Sequence, residues 1–365
     1  MTVTATASIF SIAPQAEKIG SGAFDPAALS WYRYPAVDID YGPIQQQEMN
    51  PGELNGKLTP TGAFKSMAAV AGGATLFPRL EDTFGWLLYA ACGSVSTVPN
   101  HPETGTYTHV FRFDANNVSN IPWVAARRWI PGAAAADALG EMGYDNRVNG
   151  IQFTLPQMGP IRARVDFQGR VPYFEAAAPS WTYQNTFEGF ETTPVASQGS
   201  LSIAGSTADK FTGGTLTLAN GLTTLQEEMI YGSPYPDDFA MRNRAVALEL
   251  NYKWKDPAMY RKIMQGQTPT GNNWSPAPYG EVTSGSVPAI EILMRSPALI
   301  GSTNTYHQLT VRGNKAIFGG AGIPRLAPGQ MLQMPIGATL VEPTDSSDYV
   351  EFILVNDTAS YAWPT

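Results

Sequence analysis

The sequence predicts a mainly β protein, and three observations support this. Residues 148–168 have the pattern of a hairpin, because apolar and polar side chains alternate over 151–155 and 161–168, on both sides of a Pro- and Gly-containing break at 156–160. Residues 246–254 alternate in the same way. A period of two is typical of strands that bury one face. The 35 glycines and 29 prolines supply turns for many short strands.

Length and composition predict two domains with ample cores. A chain of 365 residues favours two units of roughly 180 residues each. We place the first at residues 1–178 and the second, which begins with a connecting stretch, at 179–365. The hydrophobic fraction of 43% and the aromatic fraction of 11% are sufficient for folded cores. Each half offers several strands around one short helix, which suggests an internal duplication.

In the first half, residues 1 to about 35 lack clear periodicity and are interpreted as an N-terminal arm. The polar, Pro- and Gly-marked residues 42–62 are predicted to form a long loop. A helical pattern follows over residues 79–92, with Glu81 and Asp82 in its expected first turn, where the helix dipole favours acidic side chains. Further strands are predicted at 107–113 and 122–130, before the hairpin.

The second half repeats this mixture of elements. Short strands are predicted at 201–203 and 215–218, followed by the strand at 246–254, where Leu248, Leu250, Tyr252 and Trp254 share one face. Asp256 and Pro257 are a capping residue and a first-turn proline, so a short helix is predicted there. The remaining predicted strands lie at 287–294, 307–312 and 350–355.

Charge and residue counts argue against several functional classes. The formal net charge of −8 disfavours a basic groove for nucleic acid. Cys92 is the only cysteine, which excludes an intramolecular disulfide and a Cys-rich zinc site. We expect its side chain to be buried as a small hydrophobic group. The three histidines are too far apart in sequence to suggest a triad or metal ligands, and His109 is interpreted as a packed strand residue. We see no signal-peptide pattern and no apolar run that would span a membrane.

No motif carries recognisable catalytic chemistry. Residues 52–58 resemble a phosphate-binding loop, but the stretch is one residue short and lacks the Ser or Thr that meets magnesium. The acidic pairs 227–228 and 237–238 are interpreted as solvated loop charges, because adjacent side chains on an extended segment point apart. We therefore predict no enzyme, no cofactor and no metal site, and a function that resides in surface shape.

Several segments, taken in order, resemble the tail tube proteins of long, flexible-tailed bacteriophages. The resemblance covers roughly residues 45–265 and rests on the order of these pieces: Asn50-Pro-Gly before Gly62-Ala-Phe, the short helix within 77–93 that ends in Gly93, Tyr107-Thr-His-Val-Phe, Tyr144-Asp-Asn-Arg-Val-Asn-Gly-Ile-Gln-Phe, Phe211-Thr-Gly-Gly-Thr-Leu-Thr-Leu, and the strand 246–254.

The resemblance implies a fold and a function. The fold would be two tandem β-sandwich or half-barrel tube domains, each with a short flanking α-helix. Copies would self-assemble into trimeric rings with pseudo-sixfold symmetry, stacked into a hollow tail tube for ejection of double-stranded DNA into the host. Ring closure would also pair sheet edges that are hazards in a monomer. The implied partners are the chain itself, tape measure and tail-end proteins, and passing DNA, with no membrane. The implied location is the virion tail, assembled in the host cytoplasm.

Two groups of candidate residues follow from this resemblance. An acidic inner wall would repel phosphate and let DNA slide, and the candidate lumen-facing residues are Asp166, Glu249, Asn251 and Glu291. The candidate inter-ring loop contributes Gln45, Glu48, Asn50, Glu53, Asn55 and Lys57. Two alternatives remain open at this point. One is a β-rich carbohydrate-binding module, for which Trp181, Trp254 and Trp274 would be the aromatic platforms, and the other is a virion appendage such as a capsid decoration protein.

Overall fold

The computed structural model describes residues 8–19, 25–49, 63–113, 121–132, 137–175, 182–185, 189–203, 205–254, 289–321, 332–342 and 349–364. Within these ranges the strands, in chain order, are β1 (Ile9–Pro14), β2 (Tyr32–Tyr34), β3 (Ala36–Ile39), β4 (Gly42–Met49), β5 (Ala63–Leu76), β6 (Gly93–Pro99), β7 (Tyr107–Phe113), β8 (Val124–Ile130), β9 (Leu139–Leu155), β10 (Arg162–Glu175), β11 (Ser200–Ile203), β12 (Ser206–Thr207), β13 (Phe211–Ala219), β14 (Ala245–Lys253), β15 (Ile290–Leu299), β16 (Tyr306–Gly313), β17 (Ala316–Ala321), β18 (Gln333–Leu340) and β19 (Val350–Asn356). The described helix is α1 (Thr83–Cys92), and short 3-10 turns lie at Pro26–Ala28, Phe190–Thr192 and Ala196–Gln198.

The strands form two antiparallel sheets, which confirms the prediction of a mainly β, sandwich-like fold. The first sheet has the order β4-β5-β10-β9-β13-β14-β18-β17. β3 also pairs with β5, beyond the stretch of β5 that pairs with β4. A branch of this sheet, β2-β1-β8, pairs with the first half of β9. The second sheet has the order β12-β11-β15-β16-β19-β7-β6. Both sheets therefore contain strands from both halves of the chain.

Helix α1 is almost completely enclosed. Nine of its ten residues are buried, and only Tyr89 is partly exposed. A helix that is apolar all round is typical of a core position, so α1 is enclosed by its neighbours rather than laid on a surface. The C-terminal segment covers it, since the Tyr361 ring lies edge-on to Trp86 with centroids 5.4 Å apart. Gly93 ends the helix in the left-handed conformation, with φ of 92°.

Three predictions of local structure require correction. The helix starts at Thr83, so Asp82 is its N-cap and Glu81 lies outside it. The N-terminal arm contains β1 and β2, and Phe10 and Ile12 are fully buried there. Residues 42–49, predicted as the start of a loop, form β4, because β5 supplies backbone partners from Ala71 to Ala63 and the polar side chains can face solvent. The predicted helix after Asp256 lies outside the described residues.

The predicted hairpin is confirmed, and its strands are longer than expected. Gln152 pairs with Arg164 and Thr154 with Arg162 across β9 and β10. The two strands extend to Leu139 and Glu175 respectively, and a register shift lies between Asp166 and Phe167. This hairpin is central to the first sheet, because β9 then pairs with β13 and β10 with β5.

Candidate assembly edges and polar face

The first sheet presents one apolar face and one polar face. In β14 the side chains of Val246, Leu248 and Leu250 are buried, whereas Glu249 and Asn251 are exposed. The same alternation occurs in β18, where every second residue from Met334 is buried. Because side chains alternate across a strand, the exposed residues of neighbouring strands lie in rows on one face. We call this surface the polar face.

The polar face consists mainly of small or uncharged side chains. One row runs across β18, β14, β13, β9 and β10, and another lies two residues further along each strand. The uncharged residues in these rows are Gln152, Thr154, Thr215, Thr217, Ala247, Gly337 and Thr339. The charged members of the two rows are Arg162, Arg164 and Glu249, so the face carries charges of both signs among its hydrogen-bonding groups.

Several charges on the polar face are paired with one another. Arg164 Nη2 lies 2.7 Å from Asp40 Oδ2 and 2.8 Å from Asp166 Oδ1. Partial burial works to raise the pKa of Asp40, but hydrogen bonds from Arg164 and from Gly73 N outweigh it, so the pKa lies below its ordinary value. The hydrogen bond to Asp40 likewise raises the pKa of Arg164. Both shifts favour the charged forms of Asp40 and Arg164, and the guanidinium lies against two carboxyl groups.

Of the four predicted lumen-facing residues, the structure brings three onto one surface. Asp166, Glu249 and Asn251 are on the polar face of the first sheet. Glu291 is on β15 in the second sheet, where its carboxylate accepts a hydrogen bond of 3.1 Å from Arg312 Nε. These two belong to a row of alternating charges that continues through Glu351 to Arg112.

The main path of the first sheet, leaving aside its β2-β1-β8 branch, has two edges among the described residues. One edge is β17, and the other is formed by β3 and β4, which follow one another along β5. An open edge strand presents unpaired backbone donors and acceptors. Of the candidate loop residues, Gln45 lies exposed on β4 and Glu48 is also on β4, whereas Asn50, Glu53, Asn55 and Lys57 lie outside the described residues.

A buried polar network at one end of the sheet was not predicted from the sequence. Asp145 is fully buried and accepts hydrogen bonds from Gln15 Nε2 (3.0 Å), Ile19 N (2.8 Å) and Arg170 Nη1 (2.8 Å). Arg170 Nε also donates to Pro236 O at 2.7 Å. The network therefore fastens the N-terminal segment and the loop 220–244 to the β9–β10 hairpin.

The acidic pair 237–238 contributes to the same attachment, and its side chains stay about half exposed, at 52% and 46%, as expected for solvated loop charges. Asp237 Oδ1 lies 2.9 Å from Lys18 Nζ, and Asp238 Oδ1 lies 3.5 Å from Arg147 Nη2. The hydrogen bond from Lys18 lowers the pKa of Asp237. The one local signal in the sequence is that Arg147 and Arg170 are charged residues within strands. Nothing nearby in the sequence identifies their partners.

Cys92 and two of the three histidines, His109 and His307, are buried, whereas His101 is exposed. Cys92 is buried as predicted, and burial raises the pKa of its thiol to about 12. His109 is a buried strand residue, also as predicted, and its imidazole contacts Thr97, Asn356 and Thr358. In the described ranges no group of His, Cys, Asp and Glu side chains is arranged to hold a metal ion. Likewise, none of the helical residues described forms a helix long and apolar enough to cross a membrane.

The family model described as phage tail tube protein matches residues 8–278, which include most of the first sheet and the central β9–β10 hairpin. No curated protein matches the chain.

Proposed function

Because the chain belongs to the phage tail tube protein family, we propose that it self-assembles into stacked rings that form a hollow tail tube for DNA. The family makes it a structural component of the virion tail. In our proposal the chain has no catalytic role. Its partners are other copies of itself, the tape measure and tail-end proteins, and double-stranded DNA that passes without specific binding. Assembly takes place in the host cytoplasm.

A repeat in strand order is the observation that carries this proposal. Along the first sheet, β4-β5-β10-β9 is followed by β13-β14-β18-β17. Each group consists of two antiparallel strand pairs, β4–β5 and β9–β10 in the first group and β13–β14 and β17–β18 in the second. In both groups the later strand of the second pair, β10 or β18, lies next to the first pair. Between the two pairs of each group, the chain forms a hairpin that belongs to the second sheet. This hairpin is β6–β7 in the first group and β15–β16 in the second. This repeat supports two tandem tube domains, at 1–178 and 179–365.

The same strand order supports ring closure. All pairings in the first sheet are antiparallel, and the path from β4 to β17 contains eight strands. Because eight is even, β4 and β17 run in opposite directions. The β17 edge of one copy can therefore pair with the β4 edge of the next and continue the antiparallel sheet. Such a head-to-tail contact closes into a ring when the rotation between copies allows it.

The size of such a ring suits the proposed cargo. Three copies of eight strands would give 24 strands. A closed barrel of 24 strands, spaced about 4.8 Å apart and tilted by about 40°, has a backbone diameter of about 48 Å. This leaves room for a DNA duplex after the inward side chains are subtracted. The trimeric ring with pseudo-sixfold symmetry therefore remains our proposed assembly.

We propose that the polar face lines the lumen. Asp166, Glu249 and Asn251 would then face DNA, together with the uncharged threonines and glutamine of the same rows. A wall on which uncharged side chains predominate, and on which carboxylates accompany the cations, gives phosphate groups few places to bind. Glu291 is not part of this wall, because it belongs to the second sheet. The connection between β4 and β5, residues 50–62, is retained as the proposed inter-ring loop.

Negative-stain electron microscopy of the purified, concentrated and warmed chain tests the proposal. We expect hollow tubes built from rings with threefold symmetry. A chain that stays monomeric under all conditions, including in the presence of tail-end proteins, would contradict the proposal.

A charge reversal tests the assignment of the lumen. Glu249→Lys places a cation on the proposed inner wall, whereas Glu291→Lys is the matched control in the other sheet. We expect both variants to form tubes, and only Glu249→Lys to reduce the infectivity of phage that carry it. Equal infectivity of the two variants would refute the lumen assignment while leaving tube assembly intact.

A further inference from the structure

The middle of the loop 220–244, residues 229–236, forms an exposed tip that carries two apolar side chains. Tyr231 is 108% exposed relative to a free residue, and Ile230 is 53% exposed. The tip is closed by a bridge between Met229 and Pro236 and by a hydrogen bond of 3.2 Å from Ser233 N to Ile230 O. A large aromatic side chain held out in this way is typical of an interaction site.

The tip is held firmly against the sheet behind it. Pro234 O accepts a hydrogen bond of 2.9 Å from Ala68 N, and Pro236 O accepts one of 2.7 Å from Arg170 Nε. Further along the loop, Phe239 O accepts one of 2.6 Å from Arg147 Nη1. Because both arginines are largely buried, water competes little for these bonds. The loop thus presents Tyr231 from a fixed base, which lowers the entropy lost on binding.

A cleft of matching size lies between the two sheets at the other end of the molecule. Its volume is about 170 Å³, and its lining combines apolar side chains, among them Leu155, Ile161 and Phe211, with polar ones such as Asp209 and Thr212. An apolar cavity of about 150 Å³ accommodates a benzene ring. The cleft is therefore large enough for the ring of one tyrosine.

The tip and the cleft lie at opposite ends of the same strand. β13 begins beside the cleft, where Gly214 pairs with Leu155, and ends at Ala219, where the loop 220–244 starts. Nine residues of strand separate the two ends by about 30 Å. When identical rings stack in the same orientation, the loop end of one ring faces the cleft end of the next.

We propose that Tyr231 of each copy seats in the cleft of a copy in the adjacent ring. This inference rests on the proposed tube assembly and assigns the ring-to-ring contact of the second domain to named residues. The occupant of the cleft is thus a second copy of this chain. The contact is head-to-tail, so it propagates from ring to ring without limit.

A pair of cysteines tests this contact. Tyr231→Cys is combined with Gln157→Cys, an exposed residue at the cleft, and in the matched control with Val98→Cys on the second sheet. Cys92 stays silent because it is buried. After mild oxidation of assembled tubes, we expect a ladder of covalent multimers on a non-reducing gel for the first pair. We expect a ladder at least tenfold weaker for the control pair.

The outcomes separate this inference from the proposed function. Tubes that give no ladder, or equal ladders for the two pairs, overturn the contact but leave the tube. If the unsubstituted chain forms neither rings nor tubes, the proposed function fails and the contact with it. Single substitutions give a second measurement that needs no cross-link. We expect Tyr231→Ala to raise the lowest protein concentration that forms tubes about tenfold or more, and Tyr231→Phe to change it less than threefold. An unchanged threshold in Tyr231→Ala overturns the contact.

Discussion

Removal of the Asp145 carboxylate is expected to destabilise the chain far more than removal of any exposed acid. The side chain is fully buried and accepts three hydrogen bonds, one of them from the Arg170 guanidinium. In Asp145→Ala the guanidinium keeps its bond to Pro236 O but loses its nearest counter-charge, because the remaining carboxylate, Asp237, is 3.8 Å away and half exposed. Gln15 Nε2 and Ile19 N also lose this acceptor.

The expected magnitude follows from the burial of the pair. Breaking a buried ion pair by removing one partner costs about 3–5 kcal/mol, because the other charge is left buried and uncompensated. A domain has about 5–15 kcal/mol of stability in total, so this is a large share. Asp145→Asn should cost less, because asparagine keeps an acceptor oxygen and tolerates the positive φ of 54° at this position.

Urea unfolding of the unassembled chain, followed by tryptophan fluorescence, measures the loss. Asp166→Ala is the matched control, because Asp166 is 41% exposed and its partner Arg164 keeps a second carboxylate in Asp40. An exposed pair contributes about 1 kcal/mol at most. If Asp145→Ala lowers the free energy of unfolding no more than Asp166→Ala does, the reasoning about the buried network is refuted.

Three further predictions concern the enclosed helix and the buried titratable groups. A Cβ at Gly85 would overlap the Tyr361 ring, so Gly85→Ala should lower the free energy of unfolding by about 1–3 kcal/mol. In urea unfolding, Gly85→Ala should cost less when Tyr361→Ala is also present, because the overlapping ring is then gone. Strictly additive losses of the two substitutions would contradict the overlap. The Cys92 thiol, with a pKa raised to about 12 by burial, should resist a thiol reagent at pH 8 until the chain unfolds; rapid native labelling would contradict its burial. Burial also lowers the pKa of His109 and His307 below 6.5, so their neutral forms favour folding above that pH and the contribution is lost as the pH falls through the lowered values. NMR titration of both imidazoles checks this, and midpoints at or above 6.5 would contradict it.

The sequence predicted strands best where one face is buried and the partner is near in the chain. Residues 107–113 form β7 as predicted, and the hairpin pairs Gln152 with Arg164. Local alternation carries this information, because it depends on burial and not on the identity of the distant partner. Fold class could therefore be predicted without knowledge of the sheet order.

β5 shows why other strands were missed. Its sequence is rich in alanine and glycine and lacks alternation, yet it is paired on both sides, by β10 and by β4. Gly73 lies so close to Val165 O that a Cβ there would overlap it, and Gly72 has φ of 106°. The glycines thus serve close backbone approach, a need that only the assembled sheet reveals.

The candidate site was predictable in part for a similar reason. That Asp166, Glu249 and Asn251 lie on the exposed side of their strands could be predicted, because each alternates with buried neighbours on its own strand. Alternation does not tell which sheet a strand joins, so Glu291 was grouped with them although β15 belongs to the second sheet. The attachment of Gln15 to Asp145 spans 130 residues, and no local pattern can show it.

Hydrogen–deuterium exchange of the two edge strands, before and after assembly, tests the central claim most directly. If β17 of one copy pairs with β4 of the next, the outward-facing amides of residues 316–321 and 42–49 gain hydrogen-bond partners. We therefore expect both segments to exchange much more slowly in tubes than in the unassembled chain, while the already paired β14 changes little. Tubes in which both edge segments exchange as fast as in the unassembled chain would contradict ring closure through these edges.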